Sequence, residues 1–128
     1  LLEKDTDIVS LAQTGTGKTA AFGFPMIQKI NVESRTTQGL ILSPTRELCL
    51  QITNELKSYG KHYKGLNVVA IYGGASITDQ ARDIKKGAQI IVATPGRMKD
   101  MIGRRMIDIS KIEYCVLDEA DEMLNMGF

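Results

Sequence analysis

Cysteine is scarce: Cys49 and Cys115 are the two the chain holds. They lack the paired spacing of a metal site. Both sit among apolar neighbours, in Leu48-Cys49-Leu50 and Tyr114-Cys115-Val116. They read as reduced thiols in or near the core rather than a disulfide or a catalytic pair, and an intracellular, by default cytoplasmic, setting follows. A surplus of one charge is missing too. The net charge is +1, so no bulk positive field advertises nucleic acid, although a local patch can be basic in a neutral chain. No apolar run approaches the ~20 residues of a membrane helix, and the opening LLEKDTD is not laid out as a signal peptide. Repeats, low-complexity segments and internal boundaries are absent. So is a starting methionine, and the chain stops at NMGF, so 1–128 reads as part of a domain cut from something longer.

What is present is an ordinary globular composition, 43% hydrophobic and 24% charged, enough to bury a core without staples. Short apolar runs alternate with longer amphipathic stretches. Strands are expected at 7–11, Gly39–Leu42, 67–72, 89–93 and Tyr114–Leu117, several rich in Ile and Val with little alternation, as in strands buried on both faces. Helices are expected at 18–30, Arg46–Tyr59, 77–86, 97–102 and from Glu119 onward. The second carries Leu48, Ile52, Leu56 and Tyr59 on one face. The third turns Ile77, Ala81 and Ile84 inward and Arg82, Lys85 and Lys86 outward. Segment 31–38, NVESRTTQ, reads as a polar surface loop. The alternation predicts an α/β fold in three layers, a parallel sheet with right-handed crossovers and helices on both faces.

In such sheets ligands bind beyond the carboxyl ends of the strands. AQTGTGKT, residues 12–19, lies there: Ala12, Gln13, Thr14, Gly15, Thr16, Gly17, Lys18, Thr19. Its spacing is that of a phosphate loop, G-x-x-x-x-G-K-[ST], with Ala12 in place of the first glycine. Gly15 and Gly17 let backbone N–H groups turn toward phosphate oxygens. A helix starting near Lys18 adds its positive end. Lys18 would reach the outer phosphates, and the Thr19 hydroxyl would ligate Mg²⁺. The plainer alternative is a Gly/Thr turn ahead of an amphipathic helix. A metal partner is on offer in YCVLDEAD, residues 114–121, where an apolar strand ends in acids. Asp118 would hold Mg²⁺ through its water shell, opposite Thr19, and Glu119 would orient or deprotonate the attacking water. Adjacent carboxylates repel, so a nearby cation would stabilise both in the charged form. An acidic helix start, favourable by itself, is the alternative.

Two more strand ends share a design. Ser43-Pro44-Thr45 precedes one helix and Thr94-Pro95 another, each a hydroxyl residue with proline at a helix start. Each carries an arginine in its first turn, Arg46 and Arg97, opposing the helix dipole by roughly 0.3–1 kcal/mol. A bound anion would reverse that sign. Gly73-Gly74 after the third strand permits close backbone approach. A row of nucleic-acid phosphates would use all three loops. Pairing of Arg46 and Arg97 with Glu47, Asp100 or other acids would explain the arginines equally well.

Taken in order, AQTGTGKT, PTREL, GG, TPGR and DEAD resemble the motif set of the DEAD-box RNA helicases, and the resemblance covers the whole chain. It makes Ala12 ordinary, since the family commonly has Ala there. It implies the first of two RecA-like domains of a phosphate-loop NTPase, with ATP and Mg²⁺ as cofactors. Lys18, Thr19, Asp118 and Glu119 would handle nucleotide, metal and water, and Asp121 would link that site to the next motif. Pro44, Thr45, Arg46, Glu47, Gly73, Gly74, Thr94, Pro95, Gly96 and Arg97 would face the sugar–phosphate backbone of RNA. The implied activity is ATP hydrolysis coupled to local duplex unwinding. The family's glutamine-centred adenine motif, its Ser-Ala-Thr motif and the second RecA-like domain fall outside these residues, so the piece alone is expected to bind nucleotide weakly and unwind nothing. An ATP-switched RNA clamp with little unwinding fits the same residues. A small-molecule kinase would leave PTREL and TPGR idle.

Overall fold

The computed structural model describes residues 7–10 and 16–118. Five strands form one parallel sheet: β1 (Asp7–Ser10), β2 (Gly39–Leu42), β3 (Val68–Ile71), β4 (Ile90–Ala93) and β5 (Tyr114–Leu117), in the order β1-β5-β2-β4-β3. Among the described residues four helices connect them: α1 (Thr16–Lys29), α2 (Arg46–Tyr59), α3 (Ile77–Lys85) and α4 (Pro95–Gly103). Every residue of β2 and β4 is buried, which is why these strands read as unbroken apolar runs.

The helices cover both faces, as the alternation predicts. On one face Ile41, Ile90, Val92 and Val116 pack with Phe22, Met26 and Ile27 of α1 and Cys49, Ile52 and Leu56 of α2. On the other, Leu40, Leu42, Ile91 and Cys115 pack with Met98 and Met101 of α4, and Ile77, Ala81 and Ile84 of α3 lie against them. Each fully buried aliphatic such as Ile41 or Ile91 contributes about 1.5–3 kcal/mol relative to exposure. Both cysteines are free and buried.

Several expectations shift. α1 begins at Thr16, two positions before the expected Lys18. First-turn N–H groups need no intrahelical partner, so Gly17 does little harm there. In α2 the buried stripe is Cys49, Ile52, Thr53 and Leu56; Leu48 and Tyr59 are half-buried, because the stripe centres one residue later than Leu48. Segment 31–38 is exposed at first, but Thr37 and Gln38 are buried. The Gln38 amide closes the loop on itself, accepting from Asn31 N at 2.8 Å and donating to Asn31 O at 3.0 Å.

The two edges of the sheet differ. At the amino edge Gln89 is 2% exposed and knots three connections: Nε2 donates to Ser34 O (3.1 Å) and Gly65 O (2.9 Å), and Oε1 accepts from Asn67 N (2.7 Å). Thr37 Oγ1 donates to Ala88 O at 2.8 Å. These side chains satisfy backbone groups that would otherwise be buried without partners. At the carboxyl edge the comparable buried amide among the described residues, Gln80, ties the backbone of Tyr72 alone, at the tip of β3.

Candidate functional site

Hydrogen bonds across the strand tips line up the carboxyl edge. Asp118 N donates to Leu42 O (2.8 Å), Ser43 N to Ala93 O (2.9 Å) and Thr94 N to Ile71 O (3.0 Å). Asp118, Ser43, Thr94 and Tyr72 therefore stand in a row, one per strand. At about 4.8 Å per strand the row is about 14 Å long.

At one end is the candidate nucleotide site. Thr16, Gly17 and Lys18 form the start of α1. Thr19 heads the helix's buried stripe and is fully buried, as is Asp118. The register of β2 with β5 pairs Leu42 with Leu117, so Ser43 follows beside Asp118. Alternation along the strands turns both toward the face that α1 and α2 cover. The Ser43 hydroxyl is buried and makes no hydrogen bond among the described residues. The Asp118 charge is felt in α2: burial, and then that carboxylate, push the Cys49 thiol up to about 12, with Cys49 Sγ 3.9 Å from Ser43 O.

Thr19, Ser43 and Asp118 are hard oxygen donors on one face, the kind Mg²⁺ takes. Among the described residues no group of three or more His, Cys, Asp or Glu could hold a metal ion. Mg²⁺ needs none, because it is held by one or two protein oxygens together with phosphates and water. Ala12, Gln13, Thr14, Gly15, Glu119 and Asp121, and the helix expected from Glu119, lie outside the described residues.

At the other end are the arginine loops. Thr45 caps α2, its side chain accepting from Leu48 N at 3.2 Å. Thr94 stands at the cap position of α4 but makes no side-chain cap bond; the hydroxyl cap expected there is absent, although Pro95 starts the helix as expected. Pairing of the two arginines with acids is not found among the described residues. Asp100 instead pairs with Arg104 at 2.9 Å. The Arg46 guanidinium lies over the Tyr72 ring, 4.9 Å from its centre. Arg97 Nη1 donates to Ala75 O at 3.1 Å and to Gln80 Oε1 at 3.0 Å. Three glycines mark the same surface. A Cβ added at Gly73, Gly74 or Gly96 would meet nothing within 4 Å. Gly74 has φ +86°, which favours glycine on backbone grounds. For Gly73 and Gly96 neither backbone conformation nor crowding accounts for the missing side chain.

Gln80 is the functional candidate that pattern reading misses. It is 7% exposed on the inward stripe of α3. Its amide accepts from Tyr72 N (3.3 Å), donates to Tyr72 O (3.2 Å) and accepts from Arg97. One side chain thus ties the tip of β3 to α4, and Tyr72 in turn supports Arg46. The available signal is a polar residue three after Ile77 and four before Ile84, on an otherwise apolar face.

A parallel sheet covered on both faces, with a glycine-lysine helix start and a buried strand-tip aspartate, defines the class: a RecA-like α/β domain. Residues 1–128 match the DEAD/DEAH box helicase family, and the chain belongs to it. It is 53% identical over 123 residues to the ATP-dependent RNA helicase DeaD of Mycobacterium tuberculosis (strain ATCC 25618 / H37Rv), an alignment covering 96% of this chain and 22% of that protein. To the ATP-dependent RNA helicase CshA of Listeria monocytogenes it is 56% identical over 124 residues, covering 95% and 23%. Among solved structures, a DEAD box protein from the hyperthermophile Methanococcus jannaschii superposes with a TM-score of 0.84 at 45% identity, covering 95% of this chain and 33% of that one. The yeast DEAD-box splicing factor Prp28 superposes at 0.82 and 34% identity, covering 96% and 30%. The chain spans under a quarter of the length of these curated relatives. No described helix is long and apolar enough to cross a membrane.

Proposed function

We propose that this chain is the nucleotide- and RNA-binding portion of an ATP-dependent RNA helicase, part of the first of two RecA-like domains, working in the cytoplasm. The observation that carries the reading is the carboxyl-edge row. A buried carboxylate and hydroxyls stand at one end, and arginines and open glycines at the other. ATP fits the first end: Ala12–Ala20 would hold the phosphates, Lys18 would neutralise the outer ones, and Thr19 and Asp118 would hold Mg²⁺. When bound, the nucleotide and its metal supply a phosphoryl group that can pass to water. Glu119 would orient or deprotonate that water, and Asp121 would tie the site to the following motif.

RNA fits the second end. Gly73, Gly74 and Gly96 let a sugar–phosphate backbone approach the main chain. Arg46 and Arg97 supply charge, and Pro44, Thr45, Glu47, Thr94 and Pro95 shape the helix starts that present them. Contacts of this kind position a strand without reading bases. The second RecA-like domain would close on the same strand and complete the ATP site, so that turnover drives local strand separation.

Two substitutions in the full-length protein test this. Lys18→Ala abolishes ATP turnover. Arg97→Ala weakens single-stranded RNA binding while ATP binding persists. An Arg97→Ala protein that binds RNA like the parent removes the arginine loops from the interface.

A further inference from the structure

β3 ends the sheet: it pairs with β4 and with no other described strand. Asn67 O and Ile71 O accept from Ile90 N and Thr94 N, so residues 67, 69 and 71 turn their peptide groups toward β4. By alternation Val68, Ala70 and Tyr72 turn theirs outward. Those of Tyr72 are taken by the Gln80 amide. Those of Val68 and Ala70 have no comparable partner among the described residues. They open on a groove of about 310 Å³ between α2 and α3, walled by Thr53 and Lys57 on one side and Asp83 and Lys86 on the other. Past Lys57 it meets a second cavity of about 330 Å³ bordered by Lys61, Tyr63 and Lys64. Thr53 lies beneath it, 3% exposed, and its hydroxyl makes no hydrogen bond among the described residues.

We propose that this groove receives an extended acidic segment of a partner protein, which adds to the open edge of β3 as a further strand. The outward N–H and C=O groups of Val68 and Ala70 supply main-chain hydrogen bonds, as in other strand additions. Lys57, Lys61, Lys64 and Lys86 against the single Asp83 set the charge of the occupant. Gln80 closes one end of the edge, which limits the paired stretch to residues 68–70, and the exposed Tyr63 ring offers an anchor beyond the other end. RNA would use the lysines but not the alternating peptide groups.

The test uses the full-length protein and a fluorescent peptide of alternating glutamate and valine, with a lysine–valine peptide as control. The acidic peptide binds and the basic one does not, and hydrogen exchange slows at Val68 and Ala70. Ala70→Pro deletes an outward N–H and spares the ladder to β4, and it weakens binding about tenfold, the loss of roughly one hydrogen bond. Thr53→Val, which changes a group sealed beneath the groove, leaves binding at the parent level. Lys57→Glu with Lys86→Glu abolishes it. RNA-stimulated ATP turnover stays at the parent level in all of these, which separates failure here from failure of the helicase reading. Equal binding of both peptides, indifference to Ala70→Pro, or displacement of the peptide by an RNA oligonucleotide overturns the proposal.

Discussion

Arg97 and Gln80 meet at 3.0 Å, the guanidinium Nη1 donating to the amide Oε1. The contact joins the start of α4 to the middle of α3, and through Tyr72 to the tip of β3. It holds one nitrogen of Arg97 and gives the other nitrogens a fixed direction. Gln80→Leu leaves Arg97 and both Tyr72 peptide groups without this partner, at a cost of about 1–3 kcal/mol. The expected outcome is a lower melting temperature and weaker single-stranded RNA binding, with ATP affinity unchanged. Gln80→Glu keeps the acceptor for Arg97 and loses the donor to Tyr72 O, so it falls between. Thermal melts with RNA and nucleotide titrations check this.

Gly96 separates stability from binding. It lies in the first turn of α4 with open space where a Cβ would stand. Gly96→Ala stabilises the helix by up to about 1 kcal/mol and puts a methyl group on the proposed RNA surface. A variant that melts higher and binds RNA more weakly is the expected result. A variant unchanged in RNA binding removes Gly96 from the interface.

Tyr72 supports Arg46 through its ring, not its hydroxyl. Tyr72→Phe keeps the face that attracts the guanidinium, and Tyr72→Ala loses it, a difference of about 0.5–1 kcal/mol at an exposed site. RNA affinity should follow the ring: parent and Tyr72→Phe alike, Tyr72→Ala weaker. Anisotropy titrations at fixed salt read the order.

Burial raises both thiols from their ordinary 9.0, Cys49 to about 12 with help from the Asp118 charge and Cys115 to about 11. Folding therefore holds protons that the unfolded chain releases. The stabilisation is whole below about pH 9 and is lost as pH climbs through 11 to 12. Iodoacetamide at neutral pH should label neither thiol in the folded protein and both in denaturant. Replacing Cys49 with alanine should flatten the alkaline fall in stability, which melts across that window would show.

Much of the fold was legible. Arg46–Tyr59 could be placed to the residue because Thr45 caps it and its apolar period is regular. The buried strands β2 and β4 announced themselves as Ile- and Val-rich runs. The start of α1 was not legible, because Gly17 reads as a loop residue while its place in a first turn makes that preference weak. The burial of Gln38 and Gln80 was hidden for another reason. Each is a polar residue whose partners, Asn31 O, Tyr72 O and Arg97, are assembled by tertiary structure and leave no local period. Motif spacing singles out Asp118, Arg46 and Arg97, and the fold sets the strand ends that carry them along one edge of the sheet. The cation–π contact of Arg46 and the Gln80 bridge came only with the fold.

The central claim is that one edge of the sheet couples a nucleotide to RNA. The direct measurement is ATP hydrolysis by the full-length protein, without nucleic acid, with single-stranded RNA, and with DNA of the same sequence. The account predicts strong stimulation by RNA alone. Equal rates under all three conditions would contradict it.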